Sequence, residues 1–271
     1  MQKGIVISNI SNLYNVEIEN NKIYSCNARG KIKNNAISPV AGDKVKIEVI
    51  DEEKKTGVIE EIDERINFVK RPKMANLSQI VLVVSMKLPK PDLELLDKQL
   101  AYAEYLRIKP IICLNKVDLV DENIAFSIAN TYRKIGYEVI LTNAKSGDGM
   151  DDLKVKFQNQ TTAFSGNSGV GKSTLINKLF GKDITDEGQI SGKNKRGKNT
   201  TTQVKLYKIN ENSYIADTPG FSTFDIYEIE SNELDKYFKD SERLLKLIRF
   251  AKEKALMKTD RSTYQAMESF I

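Results

Sequence analysis

The 271-residue chain has no histidine and only two cysteines, Cys26 and Cys113. A Cys/His zinc site cannot be assembled from these residues, and a disulfide scaffold is not expected. Cys113 sits in the apolar run KPIICLNK and reads as a small buried hydrophobe. No stretch of about 18 apolar residues occurs, so no membrane-spanning helix is expected. The first residues, MQKGIVISNISNLYNVEIENNKIYS, alternate polar and apolar and lack the apolar core of a secretory signal. The expected location is therefore cytoplasmic. There is no internal repeat and no low-complexity tract. Neither sign of charge dominates: 42 Lys and Arg stand against 37 Asp and Glu, a formal net charge of only +5.

What is present is an ordinary globular composition, 40% apolar and 29% charged, in a chain long enough for one large or two to three small domains. The modest positive charge is unevenly spread. Lys236 to Arg261 carries nine Lys/Arg against four Asp/Glu, and Lys178 to Lys208 carries eight against three. Such segments favour an anionic partner.

Up to about residue 66 the chain reads as short strands: IVISNI, LYNVEIE, KIYSCNA, KVKIEVI and TGVIEEI. They alternate, and Asn, Gly, Asp and Lys interrupt them every eight to twelve residues. This spacing predicts a small all-β barrel or sandwich. Arg29, Lys31 and Lys33 fall at alternate positions on one face. That face is either the RNA side of an oligonucleotide-binding barrel or a plain solvated surface. RPKMANL, from Arg71, is expected to be a linker.

From about Leu77 the texture changes. QIVLVVS and KPIICLNK are continuous apolar runs of buried-strand type, with DLELLDKQLAYAEYL at helical spacing between them. AFSIANTYRKIG (helix), YEVILTNA (strand), TTAFSG (strand) and KSTLINKLFG (helix) follow, then the strands QVKLYKI and SYIAD. Alternating strands and helices imply a mostly parallel sheet flanked by helices. From about Asn232 the periodicity is helical.

GNSGVGKS matches the phosphate-loop pattern, after a strand and opening a helix, where the pattern is most specific. The backbone from Gly166 through Asn167, Ser168, Gly169, Val170 and Gly171 would curl its N–H groups around phosphate oxygens. The helix N-terminus beginning Lys172, Ser173, Thr174 adds its dipole. Lys172 is expected to reach the outer phosphates and Ser173 to hold Mg²⁺.

Asn115, Lys116, Val117 and Asp118 follow the buried strand KPIICL directly. Guanine offers N1–H and a 2-amino group side by side, which one carboxylate, Asp118, can accept together. Asn115 would hold the other edge of the base and brace the loop, and the Lys116 stem would cover its face. A site that must satisfy a buried carboxylate rejects adenine by about 10⁴ or more. A phosphate-loop ATPase or small-molecule kinase is therefore disfavoured. Ala144 and Lys145 then stand after a further strand, with the Ala144 N–H expected at guanine O6. Asn143 occupies a position where serine is more usual.

Asp217 to Gly220 reads D-x-x-G, again after a strand. Asp217 is expected on Mg²⁺ through water, and the Gly220 N–H at the γ-phosphate. Upstream, one of Thr200, Thr201 or Thr202 is expected to close on Mg²⁺, Thr201 being favoured. Threonines that simply start a strand are the competing reading.

The elements run guanine reader, Ala-Lys loop, phosphate loop, threonine-rich loop, D-x-x-G. That order resembles a circularly permuted GTPase. With a β-barrel in front, it is similar to the ribosome small subunit-dependent GTPase A family over roughly residues 1 to 240. The resemblance implies an OB-type barrel (1–68), a circularly permuted P-loop GTPase domain with a mostly parallel sheet (69–226), and a C-terminal segment (227–271). The last is expected to be a short helical tail. It also implies a cytoplasmic monomer that hydrolyses GTP with Mg²⁺ during late maturation of the small ribosomal subunit, binding its rRNA and neither DNA nor membrane.

Two departures qualify that implication. The family's C-terminal zinc knuckle needs cysteines and a histidine that this tail lacks, so no zinc is expected. Phe221 follows D-x-x-G where ordinary GTPases place a water-orienting glutamine. The family is thought to use a histidine before the threonines, where this chain has Asn199. Asparagine positions water but is no general base near neutral pH. Asn199, Thr201 and Lys172 are the expected catalytic set, with slow turnover that the subunit stimulates. Two alternatives stay open: a GTP-dependent RNA-binding module with negligible intrinsic hydrolysis, and a GTPase serving another RNA or a protein.

Overall fold

A computed structural model describes residues 1–10, 12–30, 38–181 and 204–217. They fall into two compact units that do not follow chain order. The first takes Met1–Gln79, Leu153–Phe164 and the described residues from Ser173 onward; the second takes Ile80–Asp152 and Ser165–Lys172.

In the first unit, β1 (Gln2–Ile10), β2 (Leu13–Ile18), β3 (Ile23–Ala28), β4 (Lys44–Asp51) and β5 (Thr56–Ile62) form a closed ring. β1 pairs with both β2 and β4, β2 with β3, β3 in parallel with β5, and β5 with β4. This is a five-stranded OB-type barrel, closed by the pairing of β1 with β4 over Gln2–Ile5, beyond which β1 runs on past the ring. Alternation decides what enters it. In β3, Tyr24, Cys26 and Ala28 turn inward and meet Val6, Val16, Val45, Ile47 and Ile59.

RPKMANL is not a linker. β6 (Phe68–Lys70) and β7 (Lys73–Ala75) pair as an antiparallel hairpin, and Met74, Ala75 and Leu77 are fully buried. Its polar residues suggested a loop, yet two asparagines satisfy backbone. Asn67 accepts from Leu77 N–H at 3.0 Å and donates to Leu77 C=O at 2.8 Å, and Asn76 donates to Gly42 C=O at 2.9 Å. Buried Asp43 accepts two hydrogen bonds from Arg65, at 2.7 and 2.8 Å.

The same unit holds β11 (Thr161–Ser165), β12 (Lys205–Asn210) and β13 (Ser213–Asp217). β11 runs parallel to β13, and β12 is antiparallel to β13. β1 also pairs with β12, at Ser8 and Lys205. The barrel therefore does not stand alone within its unit.

The second unit is built on β8 (Gln79–Ser85), β9 (Lys109–Asn115) and β10 (Glu138–Thr142), with β9 between the other two. β9 and β10 are parallel. β8 is buried along its whole length, the mark of a strand covered on both faces. Helix α1 (Leu93–Tyr105) starts at Asp92, which accepts from Leu95 N–H at 3.0 Å. Helix α2 (Glu122–Ile135) starts at Asp121 and ends at Gly136, with Glu122 in its first turn and Arg133 and Lys134 in its last, matching the helix dipole. α3 (Met150–Lys154) and α4 (Lys172–Phe180) are shorter. No described helix is long and apolar enough to cross a membrane. Lys31, Lys33 and the tail 227–271 lie outside the described residues.

Candidate nucleotide-binding site

β9 ends at Asn115, and the chain turns at Lys116 with φ 62°, in the left-handed region. A short 3₁₀ turn, Val117–Leu119, then carries Asp118. Asp118 is exposed, and its carboxylate takes no hydrogen bond among the described residues. Both its oxygens thus suit a pair of neighbouring N–H donors.

Asn115 is 1% exposed and every polar atom of its side chain is used. Its Nδ2 donates to Val170 C=O at 2.9 Å. Its Oδ1 accepts from Thr142 Oγ1 and from Ala144 N–H, each at 3.2 Å. One side chain therefore joins β9, the loop after β10 and the phosphate loop. The Ala144 N–H, expected to meet guanine O6, here donates to Asn115. Lys116 makes a second tie: its Nζ donates to Gly169 C=O at 2.7 Å and to Leu88 C=O.

The loop Gly166–Gly171 is shaped by its glycines. Gly166 has φ 137°, and a Cβ there would lie 2.2 Å from Val83 C=O. At Gly171, φ is 105° and a Cβ would lie 2.3 Å from Asn115 Nδ2. Any side chain at Gly171 would push out the asparagine that holds the loop. Val170 is buried, while Ser168 and Gly169 are exposed, as are Ser173 and Thr174 in the first turn of α4. Lys172 Nζ donates to Gly166 C=O at 2.5 Å and Asn167 C=O at 2.8 Å. Partial burial holds its ammonium below the usual lysine range. A half-buried cation resting on carbonyls at a helix start is suited to phosphate oxygens.

Three contributors were not expected. Asp92, besides capping α1, accepts from Asn167 Nδ2 at 3.1 Å; its capping position before LELL was the available signal. Thr142 orients Asn115 from a fully buried position, and nothing in its local sequence marks it. Asn143, off pattern for this loop, accepts from Lys145 N–H at 3.0 Å and Ser146 N–H at 3.4 Å and so shapes the turn itself. The backbone of Asp217 ends β13. The Asp217 side chain, Asn199, Thr200, Thr201, Thr202, Gly220 and Phe221 lie outside what is described. Of the three residues expected on Mg²⁺, only Ser173 is thus described with its side chain, a hydroxyl exposed beside Lys172.

An N-K-x-D turn tied to a phosphate loop that follows it in the chain defines a circularly permuted P-loop GTPase. Comparison with known proteins narrows the class. The RsgA GTPase profile matches residues 62–227, and the RsgA N-terminal domain profile matches residues 3–59. The chain belongs to the RsgA GTPase family and is a GTPase, using GTP and Mg²⁺. It is similar to a "Small ribosomal subunit biogenesis GTPase RsgA" of Ruminiclostridium cellulolyticum, 40% identical over 239 residues, 88% of this chain and 78% of that protein. A protein of the same description from Clostridium botulinum (strain Eklund 17B / Type B) is 44% identical over 235 residues, covering 87% and 79%. Among solved structures it resembles YjeQ from Thermotoga maritima, with TM-score 0.74, 29% identity, and 99% and 97% of the two chains covered. YloQ, described as a circularly permuted GTPase, gives TM-score 0.70 at 34% identity, covering 89% and 78%.

Proposed function

We propose that the protein is a GTP-driven assembly factor that acts late in maturation of the small ribosomal subunit, binds its rRNA, and leaves on hydrolysis. The observation that carries the nucleotide part is the Asn115 bridge, which holds the Asp118 turn and the phosphate loop as one body. The subunit is proposed because relatives about 40% identical bear that description. The basic segments 178–208 and 236–261 support an RNA partner, with strongly salt-dependent binding. We assign 1–68 to the barrel, 69–226 to the GTPase domain and 227–271 to a tail without zinc. The zinc assignment follows from the absence of histidine and the burial of both thiols elsewhere. The protein works as a cytoplasmic monomer.

In this reading Asp118 accepts guanine N1–H and the 2-amino group, and Ala144 N–H turns from Asn115 to O6. Asn115 keeps the loop in place, and Lys145 lies beside the base. Lys172 leaves its carbonyl partners for the β- and γ-phosphates, with backbone N–H groups of 167–174 around them. Mg²⁺, when bound, neutralises charge on the phosphates; Ser173, Thr201 and Asp217 are positioned by sequence to hold it. Asn199 orients the attacking water, and Gly220 N–H meets the γ-phosphate. Asn199 and Phe221 stand in place of histidine and glutamine. They favour slow intrinsic turnover and leave one rival, a GTP-dependent RNA-binding module with negligible hydrolysis.

Hydrolysis measured with and without small subunits separates the two. We expect stimulation by the subunit and its loss in Lys172→Ala. Asp118→Asn should move preference from GTP to XTP, whose 2-oxo group suits an amide donor. GTP preference unchanged in that variant would overturn the base assignment, and subunits without effect would favour the rival.

A further inference from the structure

Glu17 on β2 is buried, 6% exposed, although the alternation that turns Tyr14, Val16 and Ile18 into the barrel puts it on the outer face. Among the described residues its partners come from β12 and β13 rather than from the barrel. Lys208 on β12 donates to Glu17 Oε1 and, at 2.6 Å, to Asn21 Oδ1. Tyr214 on β13 donates its hydroxyl to Glu17 Oε1 at 3.4 Å, and Lys208 Nζ lies 5.7 Å from the Tyr214 ring centre. Lys208 and Tyr214 face each other across one rung of the β12–β13 pair. The partners are 191 and 197 residues from Glu17 in the chain.

A backbone contact between barrel and hairpin lies three residues from Lys208 along β12. β1 meets β12 at Ser8 and Lys205, and Lys205 is the register partner of Asp217. A single line of backbone thus runs from the barrel through β12 to the D-x-x-G aspartate. One backbone pairing is a weak hold on register, and a slip of one residue shifts a strand by about 3.3 Å and reverses its faces. The Glu17 contacts supply what that pairing lacks. A slipped β12 would take Lys208 away and leave a buried carboxylate unpaired, which is strongly unfavourable.

We propose that Glu17 is a positioning residue for hydrolysis: through Lys208 and Tyr214 it sets the register of the β12–β13 hairpin and so the place of the Asp217 backbone. This rests on the GTPase reading of Asp217 and makes the barrel a structural part of the metal-side machinery rather than an appended RNA module. Misplacement by 1 Å at a catalytic centre can cost about 10²-fold.

The test uses the full chain as Glu17→Leu, Lys208→Arg and the double variant Glu17→Leu/Lys208→Leu. Four quantities are read: kcat and KM for GTP with excess small subunits, Kd for a fluorescent GDP, melting temperature, and amide exchange over β12–β13. We expect Glu17→Leu to lower kcat at least tenfold, with Kd for GDP within about twofold, and to speed exchange from Lys205 to Asp217. Lys208→Arg should retain kcat. The double variant, an apolar pair without directional bonds, should recover melting temperature but not kcat. Recovery of both would mean plain cohesion and overturn the proposal, as would unchanged β12–β13 exchange in Glu17→Leu. If Glu17→Leu does not fold, Glu17→Gln gives the same comparison. Absence of hydrolysis by the unmodified protein would count against the function proposed above. The exchange measurement still decides the role of Glu17.

Discussion

Replacing Asn115 by alanine should do more harm than losing one contact to a base. The side chain is buried and satisfies three groups. Thr142 Oγ1 keeps Cys113 Sγ at 3.2 Å and Leu114 C=O at 3.5 Å. Val170 C=O and Ala144 N–H lose the partner that Asn115 gave them, and both residues are buried. An unsatisfied buried group costs about 1–3 kcal/mol, so the pair costs about 2–6 kcal/mol. In Kd only the Val170 part counts, because Ala144 N–H turns to O6 in the proposed bound state; about 1–3 kcal/mol of loop positioning is from about 5-fold to about 150-fold. The assay is titration with a fluorescent GDP, with inorganic tripolyphosphate as competitor. Because Asn115 also holds the phosphate loop through Val170, tripolyphosphate should weaken as well. A Kd for GDP within threefold of the parent would refute the bridge. A large loss for GDP with tripolyphosphate unchanged would reduce Asn115 to a base contact.

Arg65→Met strands the fully buried Asp43 carboxylate and should destabilise the protein by about 3–5 kcal/mol, seen as a lower urea midpoint at an unchanged slope. A midpoint equal to the parent's would show that water replaces the guanidinium. Burial pushes the Cys26 and Cys113 thiols up to about 11 and about 12, and both are fully buried. Neither should react with a thiol reagent at neutral pH until urea unfolds the chain, and fast native labelling would contradict this. Lys172 is depressed by burial, so the unfolded chain binds more protons there than the folded one. Relative to Lys172→Met, the unmodified protein should gain stability as pH rises through the window between that depressed value and about 10.4. Parallel pH profiles in urea would contradict it.

The two loops were legible because their patterns are local. Gly166–Ser173 and Asn115–Asp118 each spell theirs within a few residues, and QIVLVVS proclaims a covered strand by hydrophobicity alone. The permutation itself was readable, since it is only an order of local signals. What escaped were contacts made at long range. Glu17 looks like any acidic residue of an alternating strand until Lys208 arrives from 191 residues away. The hairpin at 68–75 was hidden because Asn67 and Asn76, turn formers by habit, spend their amides on neighbouring backbone instead. Thr142 acts through Asn115 and leaves no local trace.

The pairing of Ser8 with Lys205 also sets a timetable for biosynthesis. The barrel strands lie within the first 62 residues and can close soon after they emerge. The partner of β1 on β12 is made about 200 residues later. At about 5–20 residues per second, that is a delay of ~10–40 s. Throughout it, part of β1 is a nascent strand edge without its partner, and Glu17 awaits its lysine. The first strand of this chain is thus completed only by nearly the last one described. A polypeptide whose relatives are described as building ribosomes spends that interval unfinished beside one.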